Sequence, residues 1–416
     1  MMLMETYDEL KNLEDTYGTP FYIFNRENLK QNYREIESAF KSRYDNFIIG
    51  YSYKTNYLPY LCKLIKQFGG YAEVVSRLEY ELALKIGYDP SQIIFNGPLK
   101  TYDDLMLALI NDSIVNLDSF YEIDHVKRLT QEFPDKEIRV GLRINLQFLR
   151  DGISDIQEGL KISRFGFTID DFGVRKAVKM LSSLNNVKLI GFHGHTSTSS
   201  RAIWIYEKIT KTLCDLANKY LAESVEYIDV GGGIYGKVPK EMFKDEVPTF
   251  VDYADAICKI MNENIWKTAK KPALILEPGT AMVANTLDFI VKVIDIKKIN
   301  GNNIVLVNGS TINTKPTFHK FNNPVEVIKP KPEDGFEIYD LVGYTCMEKD
   351  YLINKLKMKK LDQGDFIKIK NVGAYTIVLT PPFIKEEPPI LVKEDELYKE
   401  IRKRQTVDNF FLDYVI

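Results

Sequence analysis

The strongest constraint on this chain is an alternation. Between residues 47 and 276, eight short β-branched and aromatic runs are separated by stretches of helical periodicity: Phe47–Tyr53, Gly70–Val75, Gln92–Asn96, Ser113–Leu117, Glu137–Asn145, Val187–His193, Val225–Val230 and Ala273–Leu276. Among the intervening stretches, Leu58–Gln67 repeats Leu58, Leu61, Leu64 and Ile65, and Tyr206–Leu221 sets Ile209, Leu213, Leu216 and Ala217 on one stripe. Strands joined through helices run parallel, and eight of them over about 230 residues match a closed (β/α)8 barrel of the TIM type. A doubly wound open sheet is the rival. After Glu277 the helices drop out, and Leu287–Ile296, Asn303–Val307, Gly364–Lys370 and Ala374–Leu379 read as strands between Gly, Asn and Pro turns. Lys393–Arg404 reads as a helix followed by a last strand. The expected class is therefore α/β: a barrel over residues 27–281 and a C-terminal β-rich domain, barrel or sandwich, over 282–416. Residues 1–26 are expected to pack on the β-rich domain.

Charge and cysteine spacing exclude several functions. The 416 residues hold 55 basic and 58 acidic side chains, a net charge of −3, so neither a nucleic-acid-binding face nor a polybasic membrane patch is indicated. No apolar run reaches the roughly 18 residues of a membrane-spanning helix. The start Met1-Met2-Leu3-Met4-Glu5 does not fit a signal peptide, which predicts a cytoplasmic protein. Cys62, Cys214, Cys258 and Cys346 are far apart, without the spacing of a disulfide framework or a zinc site, and no metal is expected.

A barrel of this type works at the C-terminal ends of its strands. The first run ends in Tyr51-Ser52-Tyr53-Lys54-Thr55-Asn56, which places a lysine where the chain leaves the sheet. A lone lysine there is ordinarily a surface residue; buried or beside a cation it becomes a nucleophilic amine. The sixth run ends in Gly191-Phe192-His193-Gly194-His195-Thr196-Ser197-Thr198, the seventh in Asp229-Val230-Gly231-Gly232-Gly233, and the eighth in Glu277-Pro278-Gly279-Thr280. Histidines 193 and 195 point to one face, so a zinc pair is conceivable, but no third ligand motif follows. The glycines suit either a tight turn or an anion brought close to bare backbone amides. Amine, imidazole, anion-binding turn and carboxylate on one rim are the groups that a pyridoxal phosphate cofactor requires.

With these residues in place the chain resembles the fold type III pyridoxal-phosphate decarboxylases, the family of diaminopimelate and ornithine/arginine decarboxylases. Further segments carry the likeness: Asn96-Gly97-Pro98-Leu99-Lys100, Leu142-Arg143-Ile144-Asn145, Ser163-Arg164-Phe165-Gly166, Gly343-Tyr344-Thr345-Cys346 with Asp350, and Gly373-Ala374-Tyr375. The resemblance implies that Lys54 bonds the cofactor, that His195 stacks on its ring and that Glu277 pairs with the pyridine nitrogen. It implies that Gly231, Gly232, Gly233, Thr198 and Tyr375 hold the phosphate. It also implies that Cys346, reaching the site of a second subunit in a homodimer, returns a proton to the α-carbon. A thiol with pKa near 8.5 suits that task.

The chain departs from the family where diaminopimelate is read. The arginine after Glu-Pro-Gly, the arginine and tyrosine of an Arg-Pro-x-x-Tyr segment, and the glutamate after the catalytic cysteine are here Thr280, Lys315, His319 and Met347. Losing those partners removes charge-assisted hydrogen bonds of roughly 1.5–3 kcal/mol each. Glu348 stands one residue beyond the position at which related enzymes place an aspartate. The expected activity is decarboxylation of a small amino acid or derivative, free or carrier-tethered, other than meso-diaminopimelate. The alternatives are an amino-acid racemase on the same fold and an inactive binding homologue.

Overall fold

The computed structural model describes residues 5–415 except 151, 152, 155, 157–159, 171, 222, 241, 243–245, 265, 269, 332, 395 and 396. They form two compact units, one of residues 32–236 and 247–282, the other of 1–31, 237–246 and 283–416. Residues 237–246 thus group with the β-rich part, although the sequence alone places them inside the barrel.

The first unit is the expected barrel. Its strands are β1 (Phe47–Ser52), β2 (Tyr71–Val74), β3 (Ile93–Phe95), β4 (Ile114–Leu117), β5 (Ile138–Asn145), β6 (Val187–His193), β7 (Tyr227–Asp229) and β8 (Ala273–Leu276). Every neighbouring pair is parallel, β6 pairs with β5 through Val187↔Ile138 to His193↔Arg143, and the ring closes where β8 pairs with β1. Closure excludes the open doubly wound sheet. Helices follow the strands, several begun by capping side chains: Thr101 opens Tyr102–Ile110, and Thr249 opens Phe250–Glu263, each in a capping box. Among the described residues no helix is long and apolar enough to cross a membrane.

The barrel interior is filled by Ile94, Ile190, Tyr227, Ala273 and Ile275. Tyr227 is the largest of these, and β5 and β6 make room for it with Gly141 and Gly191. A Cβ at Gly191 would overlap the Tyr227 ring, and one at Gly141 the Tyr227 hydroxyl.

In the second unit the strand Leu287–Ile299 is central and pairs with Asn302–Val307, Phe366–Ile369 and the N-terminal strand Phe21–Phe24. The helix Tyr7–Tyr17 packs Leu10 and Leu13 against Phe21, Ile23, Ile290, Phe366 and Leu391. Two sequence expectations fail here. Ala374–Leu379 is a run of bends and turns, with Tyr375 at φ +52, a left-handed conformation outside the regular extended range of a strand. The tail is not a helix followed by a strand: Ile390–Glu394 and Leu397–Arg402 form an antiparallel hairpin. Its charges mimic a helix surface but lie on an edge strand, where charged side chains face water. Val325–Ile328, Phe336–Val342 and Tyr351–Lys359 are strands that the sequence reading did not separate from the turns.

Gly141→Ala should destabilise the barrel by about 1–3 kcal/mol, the usual cost of overpacking a closed core. Urea unfolding followed by circular dichroism measures it, and an unchanged midpoint would show that Tyr227 can be displaced.

Candidate active site

The strand ends deliver a cluster of buried polar groups. Lys54 lies in the 3-10 turn Tyr53–Thr55 directly after β1, with Nζ 2.9 Å from Glu73 Oε2 on β2. The same oxygen accepts from Ser52 Oγ at 2.6 Å. Asn96, after β3, donates through Nδ2 to Glu73 Oε1 at 3.1 Å and to Glu277 Oε1 at 2.5 Å. Glu73 and Glu277 are 1% and 4% exposed, so each needs the donors it has.

Glu277, after β8, shares its surroundings with Asp229 and His193, whose ligand-type atoms lie within 4.8 Å of one another. The two carboxyls divide one charge. Burial pushes Asp229 well above the usual carboxylate range, and the charge on Glu277 pushes it further. Burial acts on Glu277 in the same sense, but the attraction of His193 and Lys54 outweighs it and holds Glu277 below the ordinary range. Between the two, Glu277 therefore carries the charge and Asp229 the proton. His193 Nε2 stands 3.4 Å from Glu277 Oε2 without hydrogen-bond geometry, so neither ring nitrogen of His193 has a hydrogen-bond partner among the described residues.

His195 follows β6, and its Nδ1 accepts from Gly232 N–H at 3.1 Å. Burial, with Arg143 and Lys54 nearby, lowers its pKa to about 3, so the ring is neutral with its proton on Nε2. Arg143, buried on β5, reaches the His195 carbonyl at 3.4 Å and Asp118 Oδ1 at 3.5 Å. In the glycine turn the Gly231 amide donates to Asp229 Oδ1 at 2.9 Å. Of the three glycine amides, only that of Gly233 has no acceptor among the described residues. A Cβ at Gly231 would come within 2.6 Å of His195 Cβ, and one at Gly232 would overlap the Glu277 carbonyl. The buried Thr198 accepts from Arg201 N–H at 3.2 Å. Thr280 opens the short helix Thr280–Val283 after β8.

The structure therefore brings Lys54, His195, Gly231, Gly232 and Glu277 together in the barrel unit. Cys346, Met347, Glu348, Lys315, His319 and Tyr375 belong to the β-rich unit. There Asp350 binds two segments: its carboxylate accepts from Ser310 Oγ at 2.9 Å, Thr311 N–H at 2.7 Å, Thr345 N–H at 3.0 Å and Thr345 Oγ1 at 2.6 Å. The loop bearing Cys346 is thereby fixed to the turn that leads into Lys315. Cys346 is exposed, whereas Cys62, Cys214 and Cys258 are buried, with burial raising all three thiols. Lys315 is 3% exposed, with no carboxylate paired to its ammonium among the described residues, and burial lowers its pKa. His319 leaves its buried Nδ1 without a hydrogen-bond partner.

Glu73, Asn116 and Arg143 were not selected as site residues from sequence. Glu73 could have been found as the one acidic residue inside the apolar run Ala72-Glu73-Val74-Val75.

Pyridoxal phosphate fits these residues. The barrel mouth holds an amine beside a buried carboxylate, a neutral imidazole, a glycine turn whose Gly233 amide has no acceptor among the described residues, and buried atoms without partners among those residues at His193, Thr196 Oγ1 and Asp229 Oδ2. Residues 27–284 match the pyridoxal binding domain of pyridoxal-dependent decarboxylases. The diaminopimelate decarboxylase of Methanocaldococcus jannaschii is 28% identical over 413 residues, 97% of this chain and 92% of that protein. A probable chloroplastic diaminopimelate decarboxylase of Oryza sativa is 26% identical over 97% of this chain and 82% of that protein. The M. jannaschii diaminopimelate decarboxylase in complex with L-lysine superposes with a TM-score of 0.87 at 25% identity, over 97% of this chain and 94% of that one. A Paramecium bursaria Chlorella virus arginine decarboxylase shares the fold, with a TM-score of 0.73 at 23% identity over 90% of this chain and 96% of that one.

The neutral His195 has a consequence for stability. Its folded pKa lies below the unfolded value of 6.5, so its contribution is intact above pH 6.5 and lost as pH falls toward about 3. Between pH 7.5 and 5, cofactor-free wild type should lose about 2 kcal/mol relative to His195→Asn, measured by urea unfolding at both pH values. Parallel losses in the two proteins would mean that His195 is already charged in the fold.

Proposed function

The chain belongs to the pyridoxal-dependent decarboxylases, and on that premise we propose that it releases carbon dioxide from the α-carbon of a small amino acid or derivative other than meso-diaminopimelate. The observation that carries this reading is the ionised Glu277, joined through Asn96 to the carboxylate that holds Lys54. Pyridoxal phosphate, when bound, supplies the electron sink for the pair left as the carboxylate departs. Lys54 provides the amine that holds the cofactor's aldehyde end. Glu277 accepts a hydrogen bond from the pyridine N–H and keeps that proton in place by its charge. His195, neutral and fixed by Gly232, covers one ring face. The Gly233 amide and the hydroxyls of Thr198 and Tyr375 serve the phosphate, while the Gly231 and Gly232 amides orient Asp229 and His195.

Cys346 holds a proton at Sγ and delivers it to the α-carbon after carbon dioxide leaves. By the family resemblance it serves the site of a second copy, which makes a homodimer with shared sites the active unit. Lys315, His319, Thr280, Met347 and Glu348 are assigned to the substrate's far end. Lys315 supports an acidic or carbonyl-bearing end, free or tethered, because its buried ammonium has no carboxylate paired to it among the described residues.

A panel of diaminopimelate, lysine, ornithine, arginine, glutamate and distally modified amino acids should give carbon dioxide from an acid-ended or modified member and not from diaminopimelate. Efficient turnover of diaminopimelate would overturn the substrate reading. Racemised product without carbon dioxide would identify the racemase, and a holoprotein inert to all members the binding homologue. The absorbance band of the lysine-bound cofactor should vanish in Lys54→Ala.

Cys346→Ala should keep that band and lose turnover by about 100-fold or more, the scale of a removed general acid. Loss of the band in Cys346→Ala would place the cysteine in cofactor binding instead.

A further inference from the structure

A chain of hydrogen bonds runs from the middle of the barrel to its catalytic rim. The Tyr227 hydroxyl on β7 donates to Asn116 Oδ1 on β4 at 2.7 Å. Asn116 Nδ2 donates to Asn96 Oδ1 at 2.9 Å, and Asn96 Nδ2 ends on both Glu73 and Glu277. All five residues are 4% exposed or less.

The direction of this chain is set by chemistry. The two carboxylate oxygens facing Asn96 only accept, so Asn96 must present its NH2 group to them. Its carbonyl oxygen then needs a donor, which among the described residues the NH2 of Asn116 supplies. The Asn116 oxygen needs one in turn, which the Tyr227 hydroxyl supplies. Without that hydroxyl the buried Asn116 oxygen loses its donor, and the two amides are held in register from the carboxylate end alone. Tyr227 has its ring locked between Gly141 and Gly191, so the far end of the chain is rigid.

We propose that Tyr227, Asn116 and Asn96 form a relay of positioning residues that fixes the orientation and negative charge of Glu277, and through it the protonation of the cofactor's pyridine nitrogen. The inference rests on the assignment of Glu277 to that nitrogen. Tyr227 acts through two other side chains, from a place that neither the strand-end motifs nor the glycine turn reveals.

The test is 15N NMR of the holoenzyme loaded with pyridine-15N pyridoxal phosphate, in wild type, Tyr227→Phe and Glu277→Gln, with melting temperature and cofactor Kd measured alongside. Wild type should give the protonated-pyridine signal. Tyr227→Phe, which deletes one oxygen and keeps the ring, should bind cofactor within a few-fold of wild type yet move the signal toward the neutral-pyridine position. Glu277→Gln should move it fully. A wild-type signal in Tyr227→Phe together with a moved signal in Glu277→Gln would overturn the relay and leave the Glu277 assignment standing. A wild-type signal in Glu277→Gln would overturn the assignment itself, and the relay with it. If Tyr227→Phe does not fold, Asn116→Leu, of similar volume and without donor or acceptor, decides the question by the same signal.

Discussion

Pairing of β8 with β1 turns a row of eight parallel strands into a ring, and the arrangement of the site depends on that closure. In an open sheet Lys54 on β1 and His195 after β6 would sit far apart along the strand order. In the ring, β8 lies beside β1, so Glu277 comes next to the strand that delivers Lys54. Parallel strands send all their C-terminal ends to one rim, which puts residues 54, 73, 96, 195, 231 and 277 within reach of one another despite their distance in sequence. The tyrosine that fills the interior makes the ring's packing and its polar chain one structure: Gly141 and Gly191 admit the ring, and its hydroxyl begins the path to the rim.

Burying three carboxyls at that rim imposes a division of labour. Three ionised groups in a low-dielectric setting would repel one another, so the site distributes donors unevenly. Glu73 receives Ser52, Lys54 and Asn96, Glu277 receives Asn96, and Asp229 receives a single glycine amide. Asp229 accordingly keeps its proton, and the negative charge concentrates on Glu277. The Gly232 amide serves the same end by another route, since it fixes the neutral His195 with its Nε2 proton free.

The eight barrel strands were legible because each is a short run rich in β-branched and aromatic residues between helical patterns, and Lys54, His195 and Glu277 because they stand where such runs end. Glu73 was hidden by lying within a run, where strand patterning treats a charge as noise. Asn116 and Tyr227 were hidden for a different reason: their roles exist only through each other, across 111 residues that no local pattern connects. From their sequence the glycines suit either a tight turn or an anion, and two of their three amides serve neighbouring side chains, a use that composition does not express. In the β-rich unit the hairpin Ile390–Arg402 misled because an exposed edge strand and a helix surface draw on the same charged residues. Tyr375, in a left-handed conformation, sits at a bend that its strand-like neighbours Tyr375-Thr376-Ile377-Val378 conceal.

The departures from the family pattern follow the division between the units. Lys54, His195, Asn96 and Glu277, which form the charge network, all belong to the barrel; Lys315, His319 and Met347 belong to the β-rich unit. Thr280 alone lies in the barrel unit, just past β8, and no hydrogen bond connects its side chain to the Glu73–Asn96–Glu277 network among the described residues. On the proposed assignments, substitutions in the β-rich unit alter what is read and leave the Glu73–Asn96–Glu277 network of the barrel unit with its own residues intact. Asp350 makes this separation workable, because one carboxylate holds both the Cys346 loop and the turn leading to Lys315. A change of substrate can then proceed by exchanging side chains on an already rigid frame, whereas a change in the barrel network would require three carboxyls to find new donors at once.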